Sequence, residues 1–286
     1  MEKYTSDKAL EAIDLSRDEL ECLIRAGKDL SVESVSNEGE LDLDLVFIED
    51  GGYYKVGNYW EQYSTDDKVL IKPILLNEEI DGMKKNSGWI ANLRNSKEGK
   101  ESKDEIDNID INYLRNSQRA IGYPRRVINK NASSMNEFLH RGHLMANEII
   151  RDYINKRIQD QRCHMFRSKK HRHNIYAQFK QSNCYYSDCF TRKGQSYFEK
   201  NIIDYLKYKE GYVNYEVRAL FKSPGDKVPR ADLLCARFYD SCGLLDEQET
   251  FCVVIPNMGS LGRDYSSIAS YKFSYEDGLM EPSKGN

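Results

Sequence analysis

The chain has 286 residues, of which 40% are hydrophobic and 31% charged, which excludes a mainly disordered protein. It contains no apolar run of about 18 residues, so no membrane-spanning helix is expected, and no internal repeat, so solenoid classes are out. The formal net charge of −4 conceals an asymmetry: residues 1–113 carry 14 basic and 27 acidic side chains, residues 114–224 carry 22 and 9, and residues 225–286 carry 6 and 10. A basic middle in an acidic chain fits either an anionic partner such as nucleic acid or internal pairing of the two parts.

In chain order, Leu10, Ile13, Leu20, Leu23 and Ile24 repeat roughly at helical spacing. They predict a helix over residues 5–29, capped by Ser6 or Asp7 and ended near Gly27. Residues 30–40 read as a polar loop. Residues 41–49 alternate and read as a strand, Gly51-Gly52 turns the chain, and YYKVGNYWEQY continues in strand-like fashion. Residues 69–76 form another strand, which Pro73 makes an edge or bulged one. Residues 95–109 are nearly all polar or charged. The expected division is therefore an N-terminal α/β module at 1–95, a linker at 96–109, a second domain at 110–265 and a frayed tail at 266–286. Within the second domain, Tyr197, Phe198, Ile202, Tyr205 and Leu206 make one stripe of a helix at 195–208. Strands follow at 212–221, 231–241 and 249–257, with a turn at SPGD (223–226). Helix followed by three strands points to an α+β fold with an antiparallel sheet.

The seven cysteines (22, 163, 184, 189, 235, 242 and 252) are odd in number and contain no CxxC. The first twenty residues have no apolar stretch of a secretory leader. Free thiols are the expectation, with a cytoplasmic location or leaderless export; in the exported case the alternative is that some of the cysteines pair.

All five histidines fall between residues 140 and 173. His140 and His143 lie in HRGHLMAN (140–147), and NIYAQFKQSN (174–183) follows with Asn174, Gln178 and Asn183. The helix GQSYFEKNIIDYLK carries Glu199, and VNYEVRALF, VPRADLLCARF and FCVVIPN close the set. These blocks resemble the DNA/RNA non-specific endonucleases, the ββα-metal (His-Me finger) nucleases. They are most similar to the bacterial nucleases of DNA uptake and the streptococcal DNases. The resemblance spans about residues 138–260 and does not reach residues 1–90.

The resemblance implies a hydrolase that cleaves phosphodiester bonds of DNA, with RNA as a second substrate class. His143 would be the general base, because a neutral imidazole takes a proton near neutral pH. One Mg²⁺, replaceable by Mn²⁺, would be held by the Asn183 amide oxygen and by water, with Glu199 acting through that water. Arg141 would contact the phosphate or fix its strand; Asn174 and Gln178 would order the metal-binding loop. Arg167, Lys169, Lys170, Arg172 and Arg192 would track the phosphate backbone without reading sequence.

Two positions depart from the family pattern: the first motif residue is His140 rather than Asp, and Ile203 stands where some relatives carry arginine, for which Arg192, Lys193 or Lys200 are substitutes. They motivate the alternative of a degenerate nuclease fold that only binds nucleic acid or protein. Cys163 with His164, His171 and His173 has the wrong spacing for a zinc finger. By the same resemblance the protein would serve competence, scavenging or a toxin effector. Its acidic N-terminal module would then restrain the basic cleft or recruit a secretion or immunity partner, with no membrane partner.

Overall fold

The computed structural model describes residues 5–26, 43–62, 70–80, 83–95, 139–158, 173–183, 193–258, 271–276 and 279–282. The chain opens on two short helices where one was expected. Thr5 caps α1 (Ser6–Ala12) by accepting from the Lys8 amide. Asp14 then takes a left-handed φ of 52° and Leu15 bonds back to the Leu10 carbonyl. Ser16 and Glu19 form a reciprocal capping box that starts α2 (Arg17–Arg25). The apolar spacing persists across the break, because both helices lay Ala9, Ile13, Leu20 and Ile24 on the same core. Gly27 and the loop at 30–40 lie outside the described residues.

A seven-stranded antiparallel sheet carries the structure. Its strands are β1 (Asp44–Ile48), β2 (Tyr53–Gly57), β3 (Ile71–Ile80), β4 (Met83–Arg94), β7 (Gly211–Leu220), β8 (Ala231–Asp240) and β9 (Phe251–Pro256). Their spatial order is β1-β2-β9-β8-β7-β4-β3. Gly51 and Gly52 turn β1 into β2 through amides donated to the Ile48 carbonyl. The strand ends at Asn58 (φ 56°), and Tyr59–Gln62 form a short helix, α3, instead of more strand. Pro73 sits on the edge strand β3, where its missing N–H costs nothing.

Of the seven strands of this sheet, β4 is the one absent from the sequence reading. It begins with the polar run MKKNSG, which hides the inward alternation of Trp89, Ala91 and Leu93. Gly88 is needed there, because a Cβ would stand 2.3 Å from the Val217 carbonyl oxygen of the neighbouring strand. Alternation gives the sheet two buried faces. On one, Val213, Tyr215, Val217, Leu234, Ala236, Phe238, Val253 and Ile255 pack against α4 (Asn147–Ile149), the π-helix Ile150–Asn155, α5 (Lys156–Ile158) and the long helix α7 (Gln195–Tyr208). The other face holds Leu233, Cys235, Cys252 and Val254 against α1 and α2. Arg218 on that face pairs with buried Glu216 and donates to the carbonyls of Ile24 and Ala26, so the C-terminus of α2 keeps its orphan acceptors satisfied.

This topology corrects the expected division of the chain. The strands β7, β8 and β9 occupy the middle, and strands from residues 44–94 flank them on both sides. Each hydrophobic cluster draws on residues from both sides of position 95. The described part of residues 1–95 is therefore built into the same sheet and core as residues 211–256 rather than packed as a separate module. The linker at 96–109 lies outside the described residues.

Two further expectations change. The tail contains a hairpin of β10 (Tyr271–Ser274) and β11 (Leu279–Pro282). It is tied down by buried Tyr275, whose hydroxyl donates to the Asn257 carbonyl at 2.8 Å. Cys235 and Cys252, directly opposite each other on β8 and β9, form a disulfide, so these two are not free thiols. Cys22 and Cys242 are free and exposed.

Candidate active site

The histidine motif builds a small sheet of its own. β5 (Leu139–His143) pairs antiparallel with β6 (Ile175–Phe179), placing His143 opposite Ile175 and His140 opposite Gln178. β6 runs straight into α6 (Lys180–Asn183), which packs against both strands and against α7. The hairpin is fastened to the main sheet by Asn257, whose Oδ1 accepts from the Phe179 amide (2.8 Å) and whose Nδ2 donates to the carbonyls of Ala177 (3.3 Å) and Pro229 (2.9 Å). Ser182 fastens α6 by donating to the Pro256 carbonyl at 2.9 Å. On the far side, Asn86 and Trp89 of β4 both donate to the His173 carbonyl, at 2.8 and 3.0 Å.

His143 ends β5 half-buried. The chain after it is clamped. Asn174 accepts from the Met145 amide (3.0 Å) and donates to the Met145 carbonyl (3.2 Å), while its own carbonyl accepts from the Leu144 amide. Glu199 accepts from the Ala146 amide at 2.8 Å, which caps the start of α4, and from the Tyr215 hydroxyl at 3.1 Å. Gln195 donates to the carbonyls of His143 (2.9 Å) and Leu144 (2.8 Å). Gln195 and Glu199 stand four apart on α7, so both fall on its buried face in line with Ile202 and Leu206.

The electrostatics follow from burial. Glu199 is 4% exposed, and loss of water pushes its carboxyl up to about 8. Hydrogen bonds from Ala146, Gln195 and Tyr215 pull the other way and lose, and Asp232 adds to the upward push. The Tyr215 and Tyr176 phenols are held well above their ordinary range, first by burial and then by these same carboxylates.

No protein-family description and no curated protein matches the sequence. Solved structures do match the fold. Magnesium-bound NucA from Streptococcus agalactiae is similar over 96% of this chain and 99% of its own, at 19% identity and a TM-score of 0.56. The metal-free form of the same protein matches over 95% and 99%, at 20% identity and 0.52. The chain shares the fold of NucA, an α+β fold with an antiparallel sheet. The likeness runs across residues 1–95 as well, in agreement with the shared sheet and in contrast to the expectation that the resemblance stops near residue 138.

The structure places His143 on β5, Asn174 just before β6, Gln178 on β6, Asn183 at the end of α6 and Glu199 on α7, with α6 touching both strands and α7. Asn183 is half-buried at the end of α6, and Gln178 is fully buried beneath Gly142. His140 and Arg141 lie on β5 opposite Gln178 and Ala177. Arg167, Lys169, Lys170, Arg172 and Arg192 lie outside the described residues. Ile203 packs against the core, Lys200 pairs with Asp204, and the Lys193 ammonium lies over the Tyr197 ring.

Sequence reasoning missed Gln195, Asp232 and Asn257. The first two carried a readable signal. Gln195 is polar on the apolar stripe of its helix, and Asp232 shares inward parity with Leu234, Ala236 and Phe238. No comparable pattern marks Asn257.

Proposed function

We propose that the protein is a metal-dependent endonuclease that hydrolyses phosphodiester bonds of DNA, and of RNA, at His143. The observation that supports this reading is the arrangement of the hairpin. His143 closes β5 half-buried, the Asn183 helix and the Glu199 helix pack beside it, and buried amides hold the backbone on either side. In this reading the His143 imidazole takes the proton of the attacking water, and Asn174, Gln195 and Glu199 keep the 143–146 segment from shifting under it. Arg141 contacts the phosphate.

The donors fit a hard, well-hydrated cation. Among the described residues no three His, Cys, Asp or Glu side chains converge, and the short helix that ends at Asn183 packs against the histidine strand. Mg²⁺ keeps several of its waters and needs few protein ligands. Asn183 would hold it directly and Glu199 through water, and the ion would act as a Lewis acid on the phosphate and the leaving 3′ oxygen.

The test is purified protein on supercoiled plasmid with Mg²⁺, with EDTA, and as His143→Ala. Cleavage that requires metal and falls by about 10² to 10⁴ in the variant is expected. A plasmid that only shifts on a gel, with no cleavage by the wild type, would overturn the reading in favour of a binding protein.

A further inference from the structure

We infer that a buried polar relay, Asp232 to Gln178 to Gln195, is a positioning device that fixes the backbone of His143 from the main sheet. The inference rests on the reading of His143 as the reacting residue.

The relay begins on β8. Asp232 is 0% exposed and accepts from Gln178 Nε2 at 2.6 Å. A carboxylate only accepts, so it dictates which end of the Gln178 amide faces it. The other N–H of Gln178 then goes to Gln195 Oε1 at 3.1 Å, where the Tyr176 hydroxyl also donates at 3.1 Å. With its oxygen committed twice, Gln195 must turn its NH₂ toward the carbonyls of His143 and Leu144. Each donor and acceptor follows from the one before it, and the direction is set by Asp232.

Gln178 Oε1 is buried with no hydrogen-bond partner among the described residues, and it faces Gly142. A Cβ at position 142 would stand 2.4 Å from that oxygen. The glycine of the Arg-Gly-His motif is therefore the space into which the relay fits. Flipping Gln178 would set its oxygen against Asp232 and leave Gln195 Oε1 without that donor. Buried amides with one viable orientation hold a backbone more firmly than exposed ones, because every alternative strands a polar group. The relay joins three elements that are separate in sequence: β8, β6 and the first turn of α7.

The readout must separate position from stability. Histidine ring resonances of the full-length protein, with His143 assigned by its loss in His143→Ala, report the imidazole directly. Gln195→Met keeps volume and removes both donors; Gln195→Glu keeps volume and the acceptor and serves if Met does not fold. Asp232→Val removes the acceptor, whereas Asp232→Asn keeps one and is the conservative control. The expected result is a displaced or broadened His143 signal in Gln195→Met and Asp232→Val, wild-type position in Asp232→Asn, and kcat down about 10- to 100-fold with KM within about twofold. An unmoved His143 signal in variants that lose only melting temperature would overturn the relay as a positioning device. A moved signal in a protein that cleaves nothing even as wild type would sustain the relay and sink the nuclease reading.

Discussion

Replacing Glu199 with glutamine should abolish a large part of the protein's stability dependence on pH. The carboxyl sits near 4.5 in the unfolded chain and is raised to about 8 in the folded one, chiefly by burial. A raised carboxyl binds its proton more tightly when folded. Its contribution is fully present below pH 4.5 and is lost as pH rises through about 8. At about 1.4 kcal/mol per unit the full span amounts to about 5 kcal/mol, of which about 4 kcal/mol falls between pH 5 and pH 9. The amide of the Glu199→Gln variant keeps an oxygen for the Ala146 amide and the Tyr215 hydroxyl and has no proton to lose in this range. Urea unfolding at pH 5, 6, 7, 8 and 9 in EDTA, followed by tryptophan fluorescence, gives both stability curves by linear extrapolation. The variant should gain on the wild type steadily as pH rises. Parallel curves, or a wild type that gains on the variant as pH rises, would refute the argument that burial outweighs the three hydrogen bonds on that carboxyl.

Two more expectations follow from packing. Gly142→Ala should destabilise the fold by about 2–4 kcal/mol, because its Cβ collides with Gln178 and dislodges a buried amide from Asp232 and Gln195; a denaturation midpoint equal to wild type would contradict the close approach. Deleting residues 1–95 should yield no folded nuclease domain, since the deletion strips both flanks of the central strands and the donors to the His173 carbonyl; a truncated protein that unfolds cooperatively would contradict the single sheet.

The local elements that carry the candidate site residues were legible in the amino-acid order, for identifiable reasons. His143, Asn174, Gln178, Asn183 and Glu199 fall in local blocks whose spacing is kept by two strands, one short helix and one long helix, and each element has its own period. The helix at Gln195–Tyr208 and the strands β7 to β9 were readable because alternation and the 3.6-residue repeat survive without context. Local signals misled where chain-distant partners decide. The polar run at residues 95–109 looks like a border, yet β4 immediately before it pairs with β7 more than a hundred residues later. The capping box at Ser16 is present in the sequence but is masked by a hydrophobic pattern that runs through the break.

The elements around His143, and the chemistry their side chains can offer, follow from the order of the amino acids, because period, turn residues and motif spacing are properties of neighbouring positions. Folding is what makes one sheet of the strands between residues 44 and 94 and those between 211 and 256, brings Cys235 to Cys252 and sets Asp232 behind Gln178. Pairing order and buried polar partnership depend on which distant surfaces can be desolvated together, and no local pattern encodes that choice.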